Sequence, residues 1–315
     1  MQVTHGIVMA GGGRSGFAVG TGLTIGNFDG VHRGHRAMLK RLVEKSRELR
    51  LSCNVLTFEP HPREFFSPST APARLSRLRE KLEMLAEAGI ERTHVLRFGA
   101  KLAALAAHRF VDEVLVRGLG VRWLLVGRDF RFGARRAGDF ALLEAAAASK
   151  GFGVEAMGDV LEAGQRISSS SVRACLAAGD LPGAARLLGR GYSMSGRVAH
   201  GEKLGRTLGF PTANIVLRRR PPLAGIFAVE AELEETHAVL RGVASVGRRP
   251  TVQDNAPPLL EVHLFDWQGD LYGRHLRVKF LRKLRDEEKY GGLDALRAAI
   301  TRDAEQAKDY FKSNG

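Results

Sequence analysis

The chain has 315 residues, 44% of them hydrophobic, and a formal net charge of +14. That length suits about two domains of the usual ~100–200 residues with full-sized cores, and no apolar run approaches the ~20 residues of a membrane span or resembles a secretory signal. Cys53 and Cys175 are the only cysteines, too few for a disulfide framework or a four-cysteine metal site and in keeping with a cytoplasmic location, while the positive charge favours an anionic partner: nucleic acid, a membrane surface or a phosphorylated small molecule.

The glycine-rich opening, through residues 11–22, reads as irregular. Leu23-Thr24-Ile25 then forms a first strand, followed by GNFDGVHRGH at 26–35 and a helical pattern with Met38, Leu39, Leu42, Val43 and Leu49. Strand, glycine-rich turn and helix is the geometry in which backbone N–H groups and a helix N-terminus meet phosphate. His32 and His35 fall at the loop-to-helix junction, and Gly34 removes a side chain between them. Imidazoles there can donate hydrogen bonds to developing phosphoryl charge, although a tight turn carrying surface histidines accounts for the same ten residues.

A second strand at 51–58 ends in Glu59-Pro60-His61-Pro62, where two prolines argue against helix and for an extended loop. Leu75, Leu78, Leu82, Leu85 and Ala86 repeat at helical spacing and stop at Gly89. Strands at 94–98, 123–126 and 154–157 follow, separated by a helix around Phe110, Val111, Val114 and Leu115 and an alanine-rich helix at 139–150. Strands alternating with helices predict an α/β fold: a Rossmann-like parallel sheet covered on both faces, with ligands beyond the carboxyl ends of the strands.

Beyond Ser168 the pattern changes to two short helices, 171–178 and 182–188, and a Gly189-Arg190-Gly191 linker. Six short strands with turn signals between them, at 193–198, 213–216, 226–232, 241–246, 259–265 and 276–280, predict a closed or nearly closed antiparallel β-barrel, and a last helix spans 286–311. A boundary near residues 184–192 divides the chain into domains 1–186 and 187–315.

Four loops of the first half follow strand ends. Gly26, Asn27, Phe28 and Asp29 open the first. The second, FEPHPREFF at 58–66, offers Phe58, Pro60, His61 and Pro62 as a stiff wall for a planar ligand, or simply a rigid crossover. The third, VGRDFRFG at 126–133, presents Asp129, which suits a ribose or adenine amine and equally suits a surface Asp–Arg pair. The fourth, ISSSSVR at 167–173, combines Ser168, Ser169 and Ser170 with Arg173, ordinary helix N-caps that also make an anion site. Together the four loops form a candidate nucleotide site.

These four motifs resemble the adenylyltransferase module of the prokaryotic bifunctional riboflavin kinase/FAD synthetase family. GRTLGFPTANI at 205–215, SVGRRPTV at 245–252 and EVHLFDWQGDLYG at 261–273 resemble its riboflavin kinase module, so the likeness runs from about residue 22 to 312. It implies two ATP-dependent reactions: riboflavin to FMN in the barrel, then FMN to FAD with release of pyrophosphate in the α/β domain. FMN and FAD are then intermediate and product, not redox cofactors. In the second reaction the resemblance makes His32 and His35 stabilisers of charge on the α-phosphate and departing pyrophosphate. Ser168, Ser169, Ser170 and Arg173 steady the triphosphate, and Asn27 and Asp129 position nucleotide and metal.

The barrel half can also be read physically. Period-2 geometry places Thr212 and Asn214 on one face of a strand entrance. A hydroxyl and an amide oxygen there are suitable ligands for the Mg²⁺ of ATP, or members of a local turn. Gly201, Gly205 and Gly209 surround Lys203 and Arg206 as a basic lid for phosphates, without Walker A spacing. Glu261 faces away from the apolar side of Val262 and Leu264, the usual place of a solvated strand acid; the resemblance makes it the general base for the flavin's ribityl hydroxyl. Arg249 is a further flavin-binding candidate, and Phe265, Trp267 and Tyr272 offer aromatic faces for the isoalloxazine ring or, equally, structural packing. Substrates are thus riboflavin, FMN and ATP. Four Tyr and two Trp are few for a barrel that stacks single-stranded nucleic acid, which argues against that partner, and the sequence leaves a homo-oligomer open.

Overall fold

The computed structural model describes residues 1–6, 20–201, 204–247 and 257–314. The chain folds into two compact units, Met1–Pro72 with Leu78–Ser168, and Ala73–Arg77 with Ser169–Gly315.

The first unit carries a six-stranded parallel sheet of β1 (Gln2–His5), β2 (Thr21–Ile25), β3 (Ser52–Glu59), β4 (Arg92–Arg97), β5 (Val121–Gly127) and β6 (Gly153–Met157), in the order β1-β4-β3-β2-β5-β6. The expectation of an irregular opening is corrected at β1, which pairs with β4 from Gln2↔Arg92 to His5↔Val95. This is an edge strand of four residues whose Val3 stays 39% exposed, so it lacks the buried run that marks its neighbours. Residues 7–19 of the glycine-rich stretch lie outside the described residues.

Connecting helices are α1 (Arg33–Glu48), α2 (Pro62–Phe66), α3 (Leu78–Glu87), α4 (Phe110–Gly118) and α5 (Phe140–Lys150). The alternation of the strands sorts the core into two layers. Cys53, Val55, Trp123 and Leu125 pack with Leu39 and Leu42 of α1 and Leu85 of α3. Leu23, Leu56, Leu124 and Val126 pack with Leu115 of α4 and Leu143 of α5. α4 is a π-helix, a wider turn than the periodicity predicts. α2 corrects the extended loop predicted after β3: Pro62 occupies the first helical turn, where its missing N–H leaves no bond unmade. A small hairpin, β7 (Leu161–Glu162) and β8 (Gln165–Arg166), closes the unit.

The second unit begins with α6 (Ser169–Ala177) and α7 (Leu181–Leu188). Its sheet comprises β9 (Ser193–Arg197), β10 (Ala213–Val216), β11 (Gly225–Leu233), β12 (Val239–Gly247), β13 (Leu259–Leu264) and β14 (His275–Arg285), in the order β10-β13-β12-β11-β14-β9. Every pairing is antiparallel. The Ala199 N–H donates to the Asn214 carbonyl at 2.7 Å, bringing the two ends together as a nearly closed barrel. Ile215, Phe227, Val229, Leu260, Val262 and Val278 fill the interior.

A short helix, α8 (Leu204–Thr207), precedes β10, and α9 (Leu293–Asn314) ends the unit. The predicted start of the last helix at 286 is corrected. Two register irregularities against β11 let β14 continue to Arg285, paired with Ile226, so the helix cannot begin until the chain has left the sheet. α9 lays Ala304, Ala307 and Phe311 on Ile226, Ala228 and Val243. Arg285 donates to both Asp303 oxygens at 2.7 Å.

Candidate active site

In the parallel unit β3 and β4 lie on one side of β2, and β5 and β6 on the other. The strand order reverses between β2 and β5, and a crevice at such a switch point is where α/β sheets bind ligands. The loops leaving those two strands are GNFDGVHRGH and the one containing Asp129.

The first loop turns back sharply. Phe28 (φ 48°), Gly30 (φ 77°) and Val31 (φ 37°) all occupy left-handed backbone. For Phe28 and Val31 this costs on the order of 1–3 kcal/mol each, and full burial in the α1–α3 core layer holds them there. The turn delivers His32 to the N-cap of α1, where its Nδ1 accepts the His35 N–H at 3.3 Å. The two imidazoles stack with centroids 3.7 Å apart. A Cβ on Gly34 would stand 3.1 Å from His32 Nδ1 and 3.4 Å from the Ile167 carbonyl oxygen, so glycine leaves room for both His32 and Ile167.

Burial first, then His32 and Lys81, drive the His35 pKa well below the usual histidine range, so this imidazole is neutral at neutral pH. His35 Nδ1 and Asn27 Oδ1 are both buried without a hydrogen-bond partner. Native structures rarely leave such atoms unmet, and two of them at one switch-point loop mark a place for a polar ligand. Asp29 is buried as well. Lys81, absent from the residues singled out by sequence, is fully buried on α3. Its signal was legible: 78, 81 and 85 share one helical stripe, and a lysine interrupts the leucines there.

Asp129 forms the surface ion pair that was one of its two readings. Its partner is Arg166 of β8, at 2.8 Å, and not a neighbour in its own loop. Arg166 also pairs with Asp159 at 3.0 Å, and Arg33 pairs with Glu162, so the β7–β8 hairpin is tied to both switch-point loops. Arg166 is a second residue that sequence reasoning missed.

After β3, His61 caps α2: its Nδ1 accepts from the Arg63 N–H at 3.1 Å, while Glu64 accepts from the His61 N–H at 3.1 Å. Phe58, Phe65 and Phe66 gather around Phe98 at 5.7–5.8 Å between ring centroids. Phe66 remains 64% exposed, an aromatic surface suited to a planar ring. Only Phe58 of this group was a sequence candidate; Phe98 comes from the end of the next strand. Ser168 ends the first unit, and Ser169, Ser170 and Arg173 belong to α6 of the second. There the Arg173 Nε donates to the Ala73 carbonyl at 2.6 Å.

In the barrel Thr212 and Asn214 alternate with buried Ala213 and Ile215. Asn214 Nδ2 donates to the Thr212 carbonyl at 3.2 Å, while its Oδ1 is buried with no partner. A hard oxygen held in place and left unmet, beside a threonine hydroxyl, fits a magnesium ion's needs. A Cβ on Gly201 would stand 2.6 Å from Asn214 Nδ2, so the chain passes over this side chain only as glycine. Lys203 and Arg249 lie outside the described residues.

Glu261 sits opposite Asn214 across β10–β13 and opposite Ser245 across β12–β13. The Ser245 hydroxyl donates to Glu287 at 3.1 Å. Burial pushes the Glu287 carboxyl pKa up, and the nearby Glu261 charge adds to this. Glu287 follows the end of β14, where no periodicity singles it out. Arg206, Thr212, Trp267, Asp270 and Tyr272 line a cavity of about 390 Å³ floored by Val262 and Leu264. Trp267 Nε1 is buried there without an acceptor. Phe265 sits apart from that cavity, packed against Phe311 of α9 under Lys308.

A parallel α/β unit with a histidine pair at its switch point, and a barrel setting an unmet oxygen opposite a carboxylate, fit the class of ATP-dependent transferases of phosphorus-containing groups. The FAD synthetase family model matches residues 17–171, and the riboflavin kinase family model matches 188–311. The chain is 50% identical over 290 residues to the bifunctional riboflavin kinase/FMN adenylyltransferase of Escherichia coli K12, covering 92% of each. It is 50% identical over 286 residues to that of Pseudomonas fluorescens, covering 90% of this chain and 91% of the other. A solved structure titled a macrolide-efflux protein from Streptococcus pneumoniae superposes with a TM-score of 0.78 at 25% identity, covering 98% of this chain and 99% of that one. Among the described residues no helix is long and apolar enough to cross a membrane.

The chain therefore belongs to the bifunctional riboflavin kinase/FMN adenylyltransferase family. Its N-terminal part carries the adenylyltransferase and its C-terminal part the kinase, with riboflavin, FMN and ATP as substrates.

Proposed function

We propose that the adenylyl-transfer centre is the β2–β5 crevice and the phosphoryl-transfer centre is the Asn214–Glu261–Ser245 row of the barrel. In the crevice a phosphate oxygen of FMN attacks the α-phosphorus of ATP and pyrophosphate leaves. His32 and His35 donate hydrogen bonds to the charge that accumulates on the phosphoryl oxygens. Asn27 and the loop from Gly26 to Asp29 hold the nucleotide, and Phe58 with Pro60 and Pro62 walls the flavin. The unmet polar atoms of Asn27 and His35 carry this reading. The parts of Asp129, Ser168, Ser169, Ser170 and Arg173 rest on their sequence motifs.

In the barrel Glu261 takes the proton of the terminal ribityl hydroxyl as that oxygen attacks the γ-phosphorus and ADP leaves with the bridging oxygen. Thr212 and Asn214 would hold Mg²⁺, which supplies neutralisation of phosphate charge when bound with ATP. Gly201, Gly205 and Arg206 form the phosphate side; the phosphate role of Lys203 and the flavin roles of Arg249 and Phe265 rest on their sequence motifs alone. Domains 1–186 and 187–315 are the corresponding functional division, in a cytoplasmic protein.

Riboflavin and MgATP, with products resolved over time, test both assignments in one experiment. Wild type yields FMN and then FAD. Asn214→Ala abolishes FMN formation, and His35→Ala accumulates FMN without FAD. Unimpaired FAD synthesis by His35→Ala would overturn the crevice assignment.

A further inference from the structure

Lys81 has no part in the adenylyl-transfer centre proposed above, yet nothing about its position is ordinary for a lysine. It is 0% exposed on α3, on the stripe that buries Leu85. An ammonium taken out of water is strongly disfavoured unless partners offset the loss. Its Nζ donates to Thr57 Oγ1 at 3.4 Å, and Thr57 Oγ1 donates to the Asn27 carbonyl at 3.4 Å. Helix α3, the end of β3 and the nucleotide loop are thus joined through one cation. The chain of bonds ends at the residue whose Oδ1 is buried and unmet, and His35 carries the second unmet atom of this loop.

We propose that Lys81 is a positioning residue for adenylyl transfer: its buried ammonium fixes the Gly26–Asp29 turn through Thr57 and supplies the standing positive charge beneath the histidine pair. Two consequences follow from charge and distance. A cation in a low-dielectric floor attracts a triphosphate without reorganising as charge moves in the transition state. The same cation opposes protonation of His35, together with burial and His32, which are the other influences on that ring. Lys81 thereby adds to what burial and His32 already do to keep His35 a neutral hydrogen-bonding group. Both Nζ–Oγ1 and Oγ1–O separations are long for hydrogen bonds, so these contacts have room to tighten as ligand fills the crevice.

This inference rests on the histidine pair as the adenylyl-transfer site, and the experiment separates the two claims. Full-length Lys81→Met, Lys81→Arg, Thr57→Val and His35→Ala are assayed for FAD formation from FMN and MgATP, with kcat and KM resolved across roughly pH 5 to 9. FMN formation from riboflavin in the barrel serves as an internal control. Lys81→Met should lower kcat for FAD on the order of 10²-fold, leave FMN formation unchanged and move the acid limb of the kcat profile to higher pH. Lys81→Arg should return that limb toward its wild-type position. Thr57→Val, which keeps the charge and breaks the link, should raise KM for ATP with the limb unmoved. A wild-type profile in Lys81→Met overturns the inference alone, whereas wild-type FAD formation in His35→Ala overturns the site reading beneath it. If Lys81→Met loses both activities together through unfolding, Thr57→Val decides: wild-type FAD kinetics there overturns the proposal.

Discussion

The imidazoles of His32 and His35 lie 3.7 Å apart with their planes 19° from parallel, and the ring of the first caps the helix that carries the second. His32 thus caps a helix and, in the proposed reaction, also donates to the phosphoryl charge, and substitution can separate the two. Serine is a good N-cap, so His32→Ser should fold normally yet lose FAD formation by on the order of 10²–10³. His32→Ala should show the same loss and a further drop of about 1 kcal/mol in stability of the first unit. Equal melting of the two variants would show that the cap contributes nothing.

Acid should weaken the α/β unit before its carboxylates titrate. Burial first, and Arg92 second, lower the His94 pKa from 6.5 to about 4. Between those values the unfolded chain binds a proton that the folded chain refuses, so stability falls as pH falls. The slope is up to about 1.4 kcal/mol per pH unit, and it flattens below the folded value. His35 acts in the same direction. Urea midpoints of the α/β transition taken at several pH values should show this decline, and His94→Gln should make it shallower. A slope unchanged in His94→Gln would contradict the assignment.

Gly201→Ala should be selective. The added Cβ would stand 2.6 Å from Asn214 Nδ2, so the amide must turn or the chain must lift. FMN formation from riboflavin should fall at least tenfold, the order expected of a displaced positioning group, while FAD formation from supplied FMN continues at its wild-type rate. Parallel loss of both activities would point to unfolding instead of a local clash.

The Arg285–Asp303 pair ties the end of β14 to α9 with two bonds of 2.7 Å, and only 6% of the aspartate side chain is exposed. Asp303→Ala leaves a guanidinium with its carboxylate gone. Destabilisation of about 2–4 kcal/mol is expected, toward the lower figures for broken buried pairs because Arg285 keeps some solvent contact. Calorimetry of the full chain should place this loss in the barrel transition, and an unmoved transition would show the pair to be idle.

Much of this protein was determined by local pattern. Alternating strands and helices fixed a parallel sheet, six punctuated strands fixed a barrel, and period-2 spacing put Thr212 and Asn214 on one face, because each signal depends on neighbours a few residues away. GNFDGVHRGH carried the histidine pair for the same reason. The ends of elements were less legible: β14 outran its predicted end because bulges against β11 maintained its pairing, and β1 escaped notice because an edge strand buries little. Tertiary structure alone decided which distant groups meet. Arg166 reaches Asp129 across 37 residues, Ser245 reaches Glu287 across 42, and Lys81 reaches Thr57 across 24. No spacing rule encodes those contacts, since sheet order and packing bring the partners together only after the chain has folded.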